Sequence, residues 1–121
     1  MARILVIDDS PTDIHAIKSI LEKEGHQLLE ATNGESGIEQ AKQAHPDLIL
    51  MDIVMPGMNG FQATRRLNRD SDTASIPVIM VSSKDQATDR IWAKRQGAVD
   101  YIAKPVERGE LLEKIKSVLG G

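Results

Sequence analysis

The sequence predicts an α/β domain, a parallel sheet of five short strands with helices on both faces. Three observations predict it. Short apolar runs, too brief to be buried helices, alternate along the chain with segments whose apolar residues recur at helical spacing. Three of the runs lack the polar alternation of a half-exposed strand, so they need cover on both faces. Every connection is long enough to hold a helix, and strands joined by helical crossovers lie parallel. At 121 residues the chain has the size of one domain, and we expect a single domain over 1–121 with no output domain attached.

Ile4, Leu5, Val6 and Ile7 form the first run, which ends in Asp8 and Asp9. Ser10 and Pro11 then open a helix. The serine is a suitable N-cap, and proline at the first helical position loses no donor the helix needs. Ile14, Ile17 and Leu21 repeat at helical spacing, and Gly25 ends the segment. Leu28 and Leu29 are the whole apolar content of the second strand, which suits a poorly covered edge position. Asn33 and Gly34 read as turn chemistry only, followed by a weakly amphipathic helix over 35–44. Pro46 restarts the chain as an extended segment.

Leu48, Ile49, Leu50 and Met51 make the third strand, and the run stops at the carboxylate of Asp52. Pro56, Gly57, Asn59 and Gly60 carry the chain out of the sheet into a helix over 60–68, with Phe61, Thr64 and Leu67 on one side. Residues 70–75 are a polar loop. The fourth strand, 78–81, ends in Ser82 and Ser83, and a charged helix over 85–96 stops at Gly97. The fifth strand, 101–103, ends in Lys104 and Pro105. Leu111, Leu112, Ile115, Val118 and Leu119 stripe the last helix. For five strands so connected the natural solution is the flavodoxin-like (βα)5 arrangement, a doubly wound sheet of order 2-1-3-4-5.

Composition narrows the function. There is no cysteine, which excludes disulfides and thiolate metal sites. A net charge of −3 with interspersed signs gives no nucleic-acid footprint. No apolar run approaches a membrane span, and the short apolar start followed by two acids is no signal peptide, so we expect a cytoplasmic protein without membrane insertion. His15, His26 and His45 lack metal-site spacing and read as surface or packing residues. Met51, Met55, Met58 and Met80 read as packing.

In such a sheet the carboxyl ends of all strands share one rim. That rim collects Asp8, Asp9, Asp52, Ser82, Ser83 and Lys104. Carboxylates crowded there repel one another, on the order of 4 kcal/mol per pair at ~4 Å and an effective dielectric of ~20. A hard divalent cation such as Mg2+ removes the repulsion, because it takes oxygen ligands from one or two carboxylates together with water and phosphate oxygens. Asp52 could then attack phosphorus to give an acyl phosphate. Lys104 would neutralise charge developing on the transferred group, and the Ser82 hydroxyl would donate a hydrogen bond to it.

With an acidic pair, a lone acid, a hydroxyl and a Lys-Pro on four separate strand ends, the chain from Ile4 to about Leu119 resembles the receiver domain of two-component response regulators, the CheY-like family. Residues 52–67 and 81–106 are similar to the stand-alone regulators of type IV pilus twitching motility, the PilH type. The resemblance implies that a partner histidine kinase donates phosphate to Asp52. It implies magnesium held by Asp8, Asp9, Asp52 and the main-chain carbonyl of Val54, a phosphate contact from Lys104, and a cis bond before Pro105. Ser82 matches the switch hydroxyl and Tyr101 the switch aromatic, whose ring would fill the space that Ser82 vacates on phosphorylation. The surface of the fourth helix, fifth strand and fifth helix, carrying Arg90, Trp92, Lys94, Tyr101 and Lys116, would then meet a downstream protein that the sequence does not name. On this reading the protein is a phosphoacceptor that catalyses its own phosphoryl transfer and slow dephosphorylation, a monomer or weak dimer, and not a turnover enzyme.

Four rivals share the fold. A metal-dependent phosphohydrolase generally wants a second acid two residues after the nucleophile, where this chain has Val54. A pseudo-receiver, a constitutive binding module, is expected to have lost a rim residue, and none is missing. An aromatic content of 2% disfavours a flavin carrier. A phosphate sink for a sister regulator would carry the same residues as a transmitter.

Overall fold

The structure is a computed structural model and describes residues 1–120. Its elements run β1 (Arg3–Ile7), α1 (Pro11–Lys23), β2 (Gln27–Ala31), α2 (Gly34–Ala44), β3 (Leu48–Met51), α3 (Gly60–Arg69), β4 (Val78–Ser82), α4 (Ala87–Gln96), β5 (Asp100–Ala103) and α5 (Arg108–Leu119). All four strand pairings are parallel, and the sheet order is β2-β1-β3-β4-β5, as the pattern predicts.

The apolar runs divide their residues between two cores, because successive side chains of a strand point to opposite faces. Leu5, Ile7, Ile49, Met51, Val78, Met80 and Tyr101 pack with residues of α2, α3 and α4. Ile4, Val6, Leu48, Leu50, Ile79, Val81 and Ile102 pack against α1 and α5. Burying each large aliphatic side chain contributes roughly 1.5–3 kcal/mol, so cover on both faces stabilises the sheet and with it the rim. β2 lies at the edge, with exposed Gln27 and Glu30 beside half-buried Leu28 and Leu29. Met51, Met55 and Met80 are buried in the core that faces α2, α3 and α4, and Met58 packs against it.

Two local readings change. Asn33 and Gly34 do more than turn the chain: the Asn33 side chain caps α2, accepting the Ser36 N–H at 2.8 Å, and Gly34 is its first residue. A Cβ on Gly34 would come within 3.3 Å of the Met58 side chain, so the glycine also makes room for the loop after β3. The fourth helix begins at Ala87 and not at 85, because Asp89 turns back to accept the Gln86 N–H at 3.1 Å and Asp85 pairs with Arg90.

Candidate functional site

The register of the sheet builds the site. Ile7 lies beside Met51, so the residues that follow them, Asp8 and Asp52, leave the sheet together. The Asp52 N–H donates to the Ile7 carbonyl at 2.9 Å and the Lys104 N–H to the Ser82 carbonyl at 2.9 Å, which ties all four strand ends to the ladder. Carboxylate oxygens of Asp8, Asp9 and Asp52 lie within 4.8 Å of one another. Asp8 and Asp52 are buried and Asp9 is exposed, so the cluster opens to solvent on one side.

Lys104 reaches in from the end of β5. Its ammonium lies 2.8 Å from Asp8 Oδ2, 2.8 Å from Asp13 Oδ2 and 3.7 Å from Asp52 Oδ1. Asp8 Oδ1 accepts the Ser10 N–H at 2.9 Å, and Asp52 Oδ1 accepts the Ile53 N–H at 2.9 Å. The bond to Ile53 fixes the Asp52 carboxylate through one oxygen and leaves Oδ2 for chemistry. Burial, with the Asp8 carboxylate next in weight, pushes the Asp52 carboxyl up to about 6, against the opposing pull of Lys104 and the Ile53 N–H. Burial alone would lower the Lys104 ammonium, but its hydrogen bonds to Asp13 and Asp8 and the charge of Asp52 outweigh it, so the group stays above its ordinary value. Three carboxylates, those of Asp8, Asp13 and Asp52, thus face one ammonium.

Asp13 is the member that the sequence reading missed. It is the third residue of α1, and its N–H donates to the Ser10 hydroxyl at 3.3 Å. The signal was present in the spacing, since an acid three residues beyond a serine cap lies on the first helical turn beside the strand end. The donor set fits a hard cation: three oxygen carboxylates, with neither imidazole nor thiolate among them. Asp8, Asp9 and Asp52 would hold magnesium. Val54 is in the loop beyond Asp52 with its side chain exposed.

Ser82 is fully buried, and its hydroxyl accepts the Lys84 N–H at 3.2 Å. The Lys104–Pro105 bond is cis, as expected. Tyr101 is only 4% exposed, so most of its ring is interior and only an edge reaches the hollow beside the fourth helix. Its hydroxyl donates to the Lys84 carbonyl, and the Arg90 guanidinium stacks 4.8 Å from the ring centroid.

The residues expected on one partner surface also separate. Arg90, Lys94 and Tyr101 line a hollow with Val99 and Asp100 on the β5 side of α4. Trp92 is half exposed but lines a groove with Phe61 and Arg65 of α3, because positions 90 and 92 project from opposite sides of the helix. Lys116 borders a third hollow with Met1, Glu24 and Asp47, which lies at the amino ends of the strands, away from the carboxylates.

A family model described as the response regulator receiver domain matches residues 4–116. Protein PilH of Pseudomonas aeruginosa is 58% identical over 121 residues, the full length of both chains. The phosphate regulon transcriptional regulatory protein PhoB of Escherichia coli is 38% identical over 117 residues, which cover 97% of this chain and 51% of that longer one. Among solved structures, the receiver domain of a Pseudomonas aeruginosa sensor histidine kinase superposes with a TM-score of 0.91 at 28% identity, covering 99% of this chain and 98% of that one, and has a magnesium ion coordinated in its active-site cleft. Sheet order, rim chemistry and full-length similarity agree, and the chain belongs to the response regulator receiver domain family.

Proposed function

We propose that the protein is a response regulator in which Asp52 accepts a phosphoryl group from a histidine kinase in a magnesium-dependent reaction. The observation that carries this reading is the convergence of Asp8, Asp9 and Asp52 with the Lys104 ammonium on one rim. Asp52 Oδ2 attacks the phosphorus of a phosphohistidine, the O–P bond forms as the N–P bond breaks, and the imidazole leaves with the electron pair. Lys104 is poised to follow the negative charge from Asp52 to the phosphoryl oxygens, since its ammonium is already 3.7 Å from the acceptor carboxylate. Bound magnesium would supply Lewis-acid charge neutralisation at the phosphoryl oxygens. Asp8, Asp9 and Asp52 would hold that ion, and Asp13 holds Lys104 in position.

The new charge of about −1.5 to −2 at Asp52 then biases a two-state equilibrium through Ser82 and the loop from 83 to 86. Arg90 stacks over Tyr101 and pairs with Asp85, so that loop is coupled to the β5 side of α4. We assign the protein to type IV pilus (twitching) or chemotaxis-like signalling in the cytoplasm, on its full-length similarity to PilH and the sequence resemblance above. No helix among the described residues is long and apolar enough to cross a membrane.

Acetyl phosphate with magnesium tests the reading. We expect one phosphate per chain, mapped to Asp52 and absent from Asp52→Asn. Continuous phosphate release would mark a hydrolase, and no labelling would mark a constitutive binding module.

A further inference from the structure

We propose that the groove between α3 and α4 is a docking site for an acidic protein segment anchored by an apolar side chain, separate from the β5 side of α4. The groove has a volume of about 280 Å³, room for one or two side chains, and is lined by Asn59, Phe61, Gln62, Arg65, Trp92 and Gln96. Its walls are aromatic. Trp92 is 51% exposed, an unusual state for the one tryptophan of a soluble fold, and Phe61 is half-buried opposite it. The floor is preset: Asn59 and Gln62 already spend their side-chain amide oxygens on each other's backbone N–H groups at 2.9 and 3.0 Å.

Charge selects the occupant. α3 and α4 carry six cationic residues and one acid, Asp89, in a chain whose net charge is −3. Of the six, only Arg90 has an ion pair among the described residues. Of the nearby acids, Asp85 is on Arg90, Asp89 on the Gln86 N–H and Asp70 on Lys42, while Glu35 borders the adjoining hollow on the far side of Arg65. Arg65 stands on one wall of the groove, and the Arg95 guanidinium lies 5.7 Å from the centroid of Trp92 on the other. Two arginines flanking an aromatic hollow match carboxylates on either side of an apolar anchor, and tryptophan and arginine are enriched among the few residues that carry most of the binding energy at protein interfaces. A nucleic acid fits less well. Its backbone needs a basic track along the domain, whereas this hollow holds single side chains and the rim beyond it is anionic.

Because the chain has a single tryptophan, Trp92 emission reports occupancy of this groove. The probe is a short synthetic helix of Glu and Leu with Leu at helical spacing, titrated into the protein at low salt. A saturable shift of Trp92 emission is expected, weakened by added salt. Arg65→Glu and Arg95→Glu should each weaken binding about tenfold or more, and Lys23→Glu, on α1 across the sheet, should leave it unchanged. All three residues are exposed, so a common urea midpoint would verify that the variants are folded. The proposal is overturned if the emission does not saturate, if Arg65→Glu binds as wild type, or if a Lys/Leu helix binds equally well. Tighter binding of oligothymidylate, or concentration-dependent self-association lost in Arg65→Glu, would replace the occupant with nucleic acid or a second copy.

Discussion

A carboxylate that must be nucleophilic has to be desolvated, and desolvation makes its charge costly. Asp52 carries both burdens: it is 7% exposed, beside the Asp8 carboxylate, and its carboxyl is pushed from 3.8 up to about 6. A raised acid binds its proton more tightly in the folded chain than in the unfolded one. Its ionisation therefore costs nothing below pH 4, costs more as pH rises from about 4 to about 6, and is a full penalty above that. Asp52→Asn removes the penalty while keeping the shape. In EDTA, urea denaturation should show the variant about 1–3 kcal/mol more stable than wild type at pH 7.5, with the difference vanishing near pH 4. A variant less stable at neutral pH would mean that Lys104 more than compensates the buried charge. At this scale the rim was legible where a residue ends a strand, as with Asp8, Asp52, Ser82 and Lys104. Asp13 was legible only as an acid on the first turn of α1; its membership of the site was not, because that depends on a lysine 91 residues away folding back onto it. Nor was the inward setting of Tyr101, which depends on the Lys84 carbonyl that receives its hydroxyl.

Between residue and fold, the β3–α3 connection decides how well Asp52 is held. Gly60 was legible as a turn glycine, but its φ is not in the left-handed region; the reason for glycine is contact. A Cβ there would stand 2.0 Å from the Asp52 carbonyl oxygen and 2.8 Å from Ile53 Cα, backbone atoms that cannot swing aside. The Gly60 N–H also donates to the Ile53 carbonyl at 2.8 Å, so α3 begins pressed against the chain leaving β3. Gly60→Ala should cost about 2–3 kcal/mol and slow phosphorylation by acetyl phosphate, since Asp52 must shift with its own carbonyl. Gly109→Ala is the contrast. Its added Cβ meets only the Glu107 carboxylate at 3.0 Å, a side-chain end that caps α5 by accepting the Glu110 N–H but can give by a few tenths of an ångström, and alanine favours the helix, so its stability should stay within about 1 kcal/mol of wild type. Equal urea midpoints for the two variants would refute the contact argument. Sequence patterns name the residue types that turns accept. They do not reveal which backbone presses on which, and for the same reason Asn33 and Gly34 could be seen as a turn but not as a helix cap beside Met58.

For the whole molecule, strand order was legible because the amount of apolar cover each run demands fixes whether it is central or marginal. Leu28 and Leu29 mark the edge, and the uninterrupted runs of β1, β3 and β4 mark the centre. The division of the partner face was not legible, since the turn of α4 about its axis is set by packing on the sheet through Ala93. That same topology couples metal binding to folding. Asp8, Asp9 and Asp52 come from separate parts of the chain and meet only when β1 and β3 pair, so an ion held by all three binds the folded state alone. Magnesium should then raise the unfolding free energy by about 1.4 kcal/mol for each tenfold increase in concentration above its dissociation constant. Asp9 isolates this effect. It is exposed, and its carboxylate accepts none of the hydrogen bonds that hold Asp8 and Asp52, so Asp9→Ala should leave stability in EDTA within about 0.5 kcal/mol of wild type. In magnesium the variant should lose most of the increase. The increase in wild type should also shrink from pH 7.5 to pH 5, because below about 6 protons compete with the ion for Asp52. Thermal unfolding across a magnesium series at both pH values reads all of this. If Asp9→Ala gains as much as wild type, the ion sits elsewhere and the three carboxylates are not its site.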